Sequence, residues 1–269
     1  MDNGPSAPDV FEPAQPYAPS TTTEKSGDTT TEFFESLIVT ILLALFGTTF
    51  IVQAFKIPSE SMEPTLLVGD HLLVNKFIFG GDGAWYEKVL PYRAVRRGDI
   101  LVFKFPYDDH PHYVKRVIGL PGDRLRIVAD QVYVNGTRVR EPYVVRDPSA
   151  EDPVVDNFPP TDREYMQRGL RLEWSRQIMN YVRRDELVVP NGHYFVMGDN
   201  RDHSWDSRYW GFVDRDAIVG RPIVIYWSVE ATSEDYDDRS VLGSVRGIEQ
   251  ALMHLPSRTR WHRMLREVH

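Results

Sequence analysis

The first segment with a clear pattern is a long apolar run behind a polar N-terminal stretch. Residues 37–55 read LIVTILLALFGTTFIVQAF and carry no charge. A helix of this length rises about 28 Å, which suits the hydrocarbon thickness of a bilayer. A cleaved signal peptide is disfavoured, because the run has an acidic flank and a poor cleavage site. A buried helix of a soluble protein is also disfavoured, because such a helix usually has a polar face. We therefore predict a transmembrane anchor over residues 33–55, preceded by a disordered acidic tail over residues 1–32.

After the apolar run, the pattern changes to short segments rich in β-branched and aromatic residues, which are typical of strands. They lie between Gly, Pro and Asp residues and read DHLLVNKFIF, DILVFKFP, HYVKRVIGL, RLRIVADQVYVNGTRV, HYFVMG and AIVGRPIVIYWS. Within the fourth segment, Asn135-Gly136 predicts a two-residue hairpin turn. The predicted fold is mainly β, with a single N-terminal transmembrane helix followed by an all-β domain over residues 56–230.

Part of this domain departs from the strand pattern. Residues 147–163 are acidic and rich in proline, which predicts a surface loop. A helix is predicted over residues 162–182, because apolar residues recur there at spacings of three or four and form a stripe that packs into the core. The stripe consists of Met166, Leu170, Trp174, Ile178 and Tyr181. We assign residues 147–190 to a small inserted cap region.

The C-terminal segment, residues 231–269, becomes basic towards its end. Four arginines (Arg258, Arg260, Arg263 and Arg266) stand among tryptophan, methionine, leucine and valine. Such a segment could lie on an anionic membrane surface or be a solvated tail, and the sequence leaves both interpretations open.

Charge and composition narrow the possible chemistry. The 269 residues carry 39 acidic and 31 basic side chains, for a net charge of −8, and residues 1–35 contribute −6 of it (seven acids, one lysine). This balance argues against a nucleic-acid partner. Zero cysteines exclude disulfides and thiol catalysis. Without a His-Glu-x-x-His motif the sequence indicates neither a metal site nor a cofactor.

A short segment after the apolar run displays two hydroxyl groups between prolines. It reads Pro58-Ser59-Glu60-Ser61-Met62-Glu63-Pro64, and the chain from residue 55 to Ser61 reaches at most about 20 Å. A serine nucleophile needs a base. His110, His112 and His203 leave a Ser-His-Asp triad open, although the chain has no Gly-x-Ser-x-Gly elbow.

Two lysines are alternative bases. Lys104 alternates with the apolar residues of the 101–105 run and is expected to face solvent. Lys115 directly precedes Arg116 in a strand, so one of these two side chains has to share a face with the apolar neighbours. Burial there would lower the pKa of Lys115 towards neutrality, as a general base requires. A lysine that extends along the strand surface into water is the alternative.

Four motifs in order behind the apolar run resemble the bacterial type I signal peptidases, which are membrane-anchored proteases with a Ser-Lys dyad. The motifs are PSESMEPTL at residues 58–66, RGDILVF at 97–103, YVKRVIGLPGD at 113–123 and GDNRDHSWDSRYWG at 198–211. The resemblance extends from residue 37 to about residue 227. It implies a signal-peptidase-like all-β catalytic domain.

The resemblance also implies the reacting groups. Ser61, just before Met62, corresponds to the nucleophile, and Lys115, just before Arg116, corresponds to the general base. Ser59 corresponds to an oxyanion-hole donor that acts together with the backbone amide of Ser61.

Further residues correspond to a supporting set. Ser204 corresponds to a hydroxyl that hydrogen-bonds to the catalytic lysine and orients it. Asp206 and Arg208 correspond to a supporting ion pair, for which a surface bridge is the alternative. His203 stands where many members of the family have asparagine.

The implied activity is cleavage of signal peptides from exported preproteins after small residues, at sites of the Ala-x-Ala type. The implied partners are these preproteins and the lipid bilayer. The implied location is the bacterial inner membrane, with a cytoplasmic N-terminus, a single span and an extracytoplasmic catalytic domain. The lysine count points the other way, because Lys56, Lys76 and Lys88 follow the span and only Lys25 precedes it.

Two other hypotheses stay open at this point. Self-cleaving repressors share a Ser-Lys catalytic core, although the apolar run and the lack of a DNA-binding domain count against them. A membrane-tethered β module that binds exported peptides without cutting them is the non-enzymatic alternative.

Overall fold

The structure is a computed structural model that describes residues 29–47, 51–79, 92–105, 107, 112–147, 149, 156–160, 169–231 and 257–269. The chain divides into two compact units, Met1–Ala44 and Leu45–His269. Most of the predicted acidic tail, residues 1–28, lies outside the described residues.

The apolar run forms one helix and one strand. Helix α1 spans Thr29–Phe46, and its large apolar side chains, such as Leu37 and Leu43, are exposed. No helix among the described residues is long and apolar enough to cross a bilayer. Our prediction differs from the structure at both ends, because residues 29–32 are helical and Val52–Lys56 is strand β1.

The described residues contain thirteen strands, which confirms the mainly β prediction. They are β1 (Val52–Lys56), β2 (Asp70–Asn75), β3 (Ile100–Lys104), β4 (His112–Gly119), β5 (Arg124–Val128), β6 (Gln131–Val134), β7 (Thr137–Arg138), β8 (Val182–Arg183), β9 (Glu186–Val188), β10 (His193–Met197), β11 (Val213–Asp214), β12 (Ile218–Ser228) and β13 (Arg266–Glu267). Eight form a larger sheet in the order β1-β2-β12-β3-β4-β10-β11, with β13 also on β12. The other five form a smaller sheet in the order β7-β6-β5-β9-β8, and neighbouring strands are antiparallel in both sheets.

Strand β3 shows how the larger sheet is covered on both faces. Leu101 and Phe103 belong to one hydrophobic cluster, whereas Ile100 and Val102 belong to another. Because successive side chains point to opposite faces, both faces of this strand are buried. Lys104, the last residue of the strand, is exposed, as predicted.

The smaller sheet confirms the predicted hairpin and changes the view of the inserted region. Asn135 and Gly136 have φ angles of 54° and 76°, as a tight hairpin turn between β6 and β7 requires. Strands β8 and β9 lie in the residues that we assigned to the inserted cap. Strand β9 pairs with β5 of this same sheet, and β8 pairs with β9. The inserted region is therefore continuous with the rest of the β structure.

Helix α2 covers this smaller sheet. It spans Leu172–Tyr181, so the described part of the predicted helix begins later than residue 162, and residues 161–168 lie outside the described residues. Leu170, Trp174 and Ile178 are buried in one cluster with the apolar residues of β5, β6 and β9. The predicted core role of the stripe is confirmed for these three residues.

The end of the C-terminal segment is folded into the domain. Strand β13 pairs with β12, and Val268 is buried in the same cluster as Leu72 and Val102. A short helix, α3 (Ser207–Trp210), lies in the fourth motif and completes the described elements used below. Residues 257–269 are therefore not a solvated tail.

Candidate active site

Ser61 lies in a short 3-10 helix formed by Glu60–Met62. The next residue, Met62, is buried, and the Leu66 amide donates to its carbonyl oxygen at 2.9 Å, which anchors the turn to the core. The carbonyl oxygen of Ser61 itself accepts a hydrogen bond from the Asn200 amide at 3.2 Å. The side chain of Ser61 is thus held at the surface of the core and is only 6% exposed.

Lys115 contacts Ser61 directly from strand β4. Its Nζ donates to Ser61 Oγ at 2.5 Å, and the lysine is 3% exposed. Burial lowers the pKa of Lys115 from its ordinary value of 10.5 to about 8, even though Asp206 and Asp199 act in the opposite direction. Of the two alternatives that the sequence left open for Lys115, the structure therefore shows the desolvated one. A lysine with this pKa can be neutral under mildly alkaline conditions and can accept a proton from the adjacent hydroxyl.

Arg116, the next residue, is buried as well, because a carboxylate compensates its charge. Its Nε and Nη2 donate to Asp199 at 2.8 and 2.7 Å, and its guanidinium lies 4.0 Å from the centre of the Tyr143 ring. Such a bidentate pair satisfies an arginine away from water. The sequence predicted that one member of the Lys115-Arg116 pair is desolvated, whereas the structure buries both.

Ser59 lies beside Ser61, with the two Oγ atoms 3.4 Å apart. A cavity of about 170 Å³ opens next to this pair. Its apolar lining includes Ile57, Met62 and Val114. The polar residues that line it include Ser59, Ser61 and Lys115. Two serine hydroxyl groups therefore border one small, largely apolar cavity.

Ser204 makes a different contact from the one predicted. Among the described residues, its hydroxyl donates to Asp206 Oδ2 at 2.8 Å, and Lys115 donates to Ser61 rather than bonding to Ser204. The part of the chain that the structure describes shows no hydrogen bond between Ser204 and Lys115, and the lysine-orienting role of Ser204 stays a prediction. A hydroxyl that donates to a carboxylate keeps its oxygen as an acceptor, so this contact is compatible with a hydrogen bond from protonated Lys115 to Ser204.

Asp206 and Arg208 form an ion pair whose side chains are both 0% exposed, with Nε 2.8 Å from Oδ1. The alternative of a surface bridge is therefore wrong. Burial alone would raise the pKa of Asp206, but Arg208, together with the Gly198 amide and the Ser204 hydroxyl, lowers it below the ordinary value. The ionised pair therefore anchors the loop that carries Ser204.

Gly198 is a site residue to which we assigned no role from the sequence. A Cβ added at this position would lie 2.4 Å from the Ser61 carbonyl oxygen and 2.2 Å from Ser204 Oγ. Only glycine lets the two loops approach this closely. In the sequence, the one signal for this close approach was the glycine at the start of the fourth motif.

The histidines do not supply the base in the described part of the chain. His203 lies between Glu60 and Asp147, with ring nitrogens 3.4 and 3.8 Å from their carboxylate oxygens. His112 borders the cavity and packs against the Phe55 ring. His110 lies outside the described residues. Among the described residues, Lys115 is the basic side chain that donates a hydrogen bond to Ser61 Oγ.

Comparison with known proteins gives the family. The model of the signal peptidase family, peptidase S26, matches residues 30–227. Signal peptidase I of Pseudomonas aeruginosa is 38% identical over 209 residues, which cover 73% of this chain and 72% of that protein. Signal peptidase I of Aquifex aeolicus is 35% identical over 252 residues, which cover 82% of this chain and 94% of that protein. The chain therefore belongs to the signal peptidase family, peptidase S26, and is a peptidase.

Proposed function

We propose that this protein is a membrane-bound serine endopeptidase that removes N-terminal signal peptides from exported preproteins, with Ser61 as nucleophile and Lys115 as general base. The observation that carries the proposal is the 2.5 Å hydrogen bond between Lys115 Nζ and Ser61 Oγ, both of which are buried. A lowered lysine pKa next to a hydroxyl is the arrangement that nucleophilic catalysis by serine requires.

Proton transfer between these two groups starts the reaction. Neutral Lys115 accepts the Ser61 proton as Ser61 Oγ attacks the carbonyl carbon of the scissile peptide bond, and negative charge develops on the carbonyl oxygen. The Ser59 hydroxyl, 3.4 Å from Ser61 Oγ, and the Ser61 backbone amide are the donors for this oxyanion. The C–N bond then breaks, and protonated Lys115 gives its proton to the leaving amine.

Water completes the cycle. Lys115, neutral again, takes a proton from a water molecule that attacks the ester carbonyl of the acyl-enzyme. The signal peptide leaves with a new carboxyl group, and Ser61 regains its proton from Lys115. The Ser61 proton therefore ends on the new amino terminus, a proton from water replaces it on Ser61, and the same lysine serves as base in both halves.

The small apolar cavity supports a preference for small side chains before the cut. Its volume of about 170 Å³ is below that of typical small-molecule sites, which start at roughly 300 Å³. An extended substrate could add as a further strand beside the first half of β4, residues 112–115, which pairs with β3 but not with β10, and direct alternate side chains into such pockets. We therefore propose Ala-x-Ala-type sites.

The proposal includes an anchor in the inner membrane. The uncharged stretch of α1 over residues 37–46 and its exposed apolar side chains support it. The N-terminus is cytoplasmic and the catalytic domain extracytoplasmic, where exported chains emerge. Protease treatment of sealed vesicles of both orientations tests this. Digestion of the large domain only from the cytoplasmic side would overturn the orientation.

Cleavage of a precursor tests the activity. Detergent-purified protein is incubated with a precursor that carries an Ala-x-Ala site, together with Ser61→Ala and Lys115→Ala variants whose folding is checked by circular dichroism. We expect cleavage by the wild type at this site and none above background by either variant. Near-normal activity of folded Lys115→Ala would rule out the dyad, and binding without cleavage by the wild type would indicate the peptide-binding module instead.

A further inference from the structure

Arg263, in the C-terminal segment, reaches the loop that follows the proposed nucleophile. It ends a short 3-10 helix, Trp261–Arg263, and is 4% exposed. Its Nη2 donates to Asp70 Oδ2 at 2.5 Å and to the Thr65 carbonyl oxygen at 3.1 Å, while its Nε donates to Asp70 Oδ1 at 3.1 Å. One buried guanidinium therefore joins the loop between Ser61 and β2 to Asp70, the first residue of β2.

Thr65 connects this arginine to the other side of the site. Its hydroxyl donates to Asp199 Oδ2 at 2.6 Å, and Asp199 forms the bidentate pair with Arg116. Arg116 is the neighbour of Lys115 in β4. Thr65 is thus held through its carbonyl oxygen by the C-terminal segment and through its hydroxyl by the buried pair beside the proposed general base.

A second set of contacts fixes the rest of the loop. Asp70 accepts from the Leu67 amide at 2.9 Å and from the Ser228 hydroxyl at 2.6 Å. Arg260 donates to the Val68 carbonyl oxygen at 3.0 Å. The loop carbonyls of Thr65 and Val68 therefore both receive donors from the C-terminal segment, where a loop alone would leave them to water.

We propose that Arg263 is a positioning residue for catalysis, and that the C-terminal segment holds the loop of Ser61 in register with Lys115. The proposal rests on Ser61 as the nucleophile. A displacement of about 1 Å at a reacting group can cost about 100-fold in rate. If the contacts of Arg263 were lost, the loop could shift and lengthen the 2.5 Å hydrogen bond between Lys115 and Ser61. Arg263 is not among the described residues that line the cavity beside Ser61, so we expect the effect to fall on kcat.

The variant Arg263→Lys separates positioning from folding. A lysine keeps a positive charge opposite Asp70, but its single ammonium group cannot reproduce the planar fork that contacts both Asp70 and the Thr65 carbonyl. Arg266→Lys is the matched control, because Arg266 lies on the same segment in β13 and is exposed. We expect Arg263→Lys to lower kcat for precursor cleavage by about tenfold or more, with KM within about twofold, and Arg266→Lys to retain wild-type values.

Titration with a serine-reactive acylating probe distinguishes a positioning role from a loss of folded protein. Rates are expressed per mole of Ser61 that can be acylated, so that unfolded protein does not enter kcat. If Arg263→Lys does not fold, the double variant Asp70→Asn/Arg263→Gln is used in its place, because it removes both buried charges together. A folded variant of either kind with wild-type kcat per acylated site overturns the inference. Absence of probe on Ser61 in the wild type would instead contradict the proposed function itself.

Discussion

The ionisation of Lys115 should set the pH dependence of cleavage. Burial lowers its pKa from 10.5 to about 8. At 1.36 kcal/mol per pKa unit, this shift corresponds to about 3 kcal/mol of preference for the neutral amine. At pH 7 the neutral fraction rises from about 1 in 3,000 for an ordinary lysine to about 1 in 10. Burial alone therefore provides several hundred-fold more of the reactive form.

The assay is kcat/KM for precursor cleavage between pH 5.5 and 10, at constant ionic strength. Only neutral Lys115 can accept the Ser61 proton, so we expect a rising limb with an apparent pKa of about 8 and a plateau above it. A limb centred below pH 7 would indicate a histidine base. A limb that still rises through pH 10 would indicate an unperturbed lysine, and either result refutes the assignment.

Stability gives an independent measure of the same pKa. Because the folded pKa of Lys115 lies below the unfolded value, the unfolded chain binds more protons between about pH 8 and 10.5. The cost of charging the buried lysine is therefore fully present below pH 8 and disappears as the pH rises through this window. Relative to Lys115→Met, the wild type should gain up to about 3 kcal/mol of unfolding free energy between pH 7 and 10.5. Urea unfolding of both proteins measures this difference, and a pH-independent difference would contradict the burial.

Three further substitutions test the surroundings of the dyad. Ser59→Ala should lower kcat about 100-fold with little change in KM, because an oxyanion donor is lost, and an unchanged kcat in steady-state cleavage would remove Ser59 from the mechanism. Gly198→Ala should lower both probe acylation of Ser61 and the melting temperature, since its Cβ would lie 2.4 Å from the Ser61 carbonyl oxygen; normal acylation would show that the loops can separate freely. Asp206→Asn should cost about 3 kcal/mol or more in urea unfolding, because it leaves Arg208 buried without its counter-charge. A loss below 1 kcal/mol would show that water relieves that charge.

The sequence predicted those features that depend on residues adjacent to one another in the chain. The adjacency of Lys115 and Arg116 in a strand required at least one buried charge, and Asn135-Gly136 specified a hairpin, because both follow from local backbone geometry. The apolar run was harder to interpret. Val52–Lys56 pairs with β2 as a strand, and short apolar runs do not distinguish strand from helix by periodicity.

Contacts between distant residues could not be predicted in this way. Asp70 and Arg263 are 193 positions apart, and Arg116 and Asp199 are 83 positions apart. Nothing local in the sequence identifies such partners, since their pairing depends on how β13 and β10 meet the rest of the sheet.

The most direct measurement is the location of the covalent intermediate. The wild type is treated with a serine-reactive acylating probe at pH 8, digested and mapped by mass spectrometry, beside Ser61→Ala and Lys115→Met. We expect a single adduct on Ser61 in the wild type, none in Ser61→Ala, and acylation slowed by orders of magnitude in Lys115→Met. An adduct on another residue, or equal labelling of Ser61→Ala, would contradict Ser61 as the nucleophile.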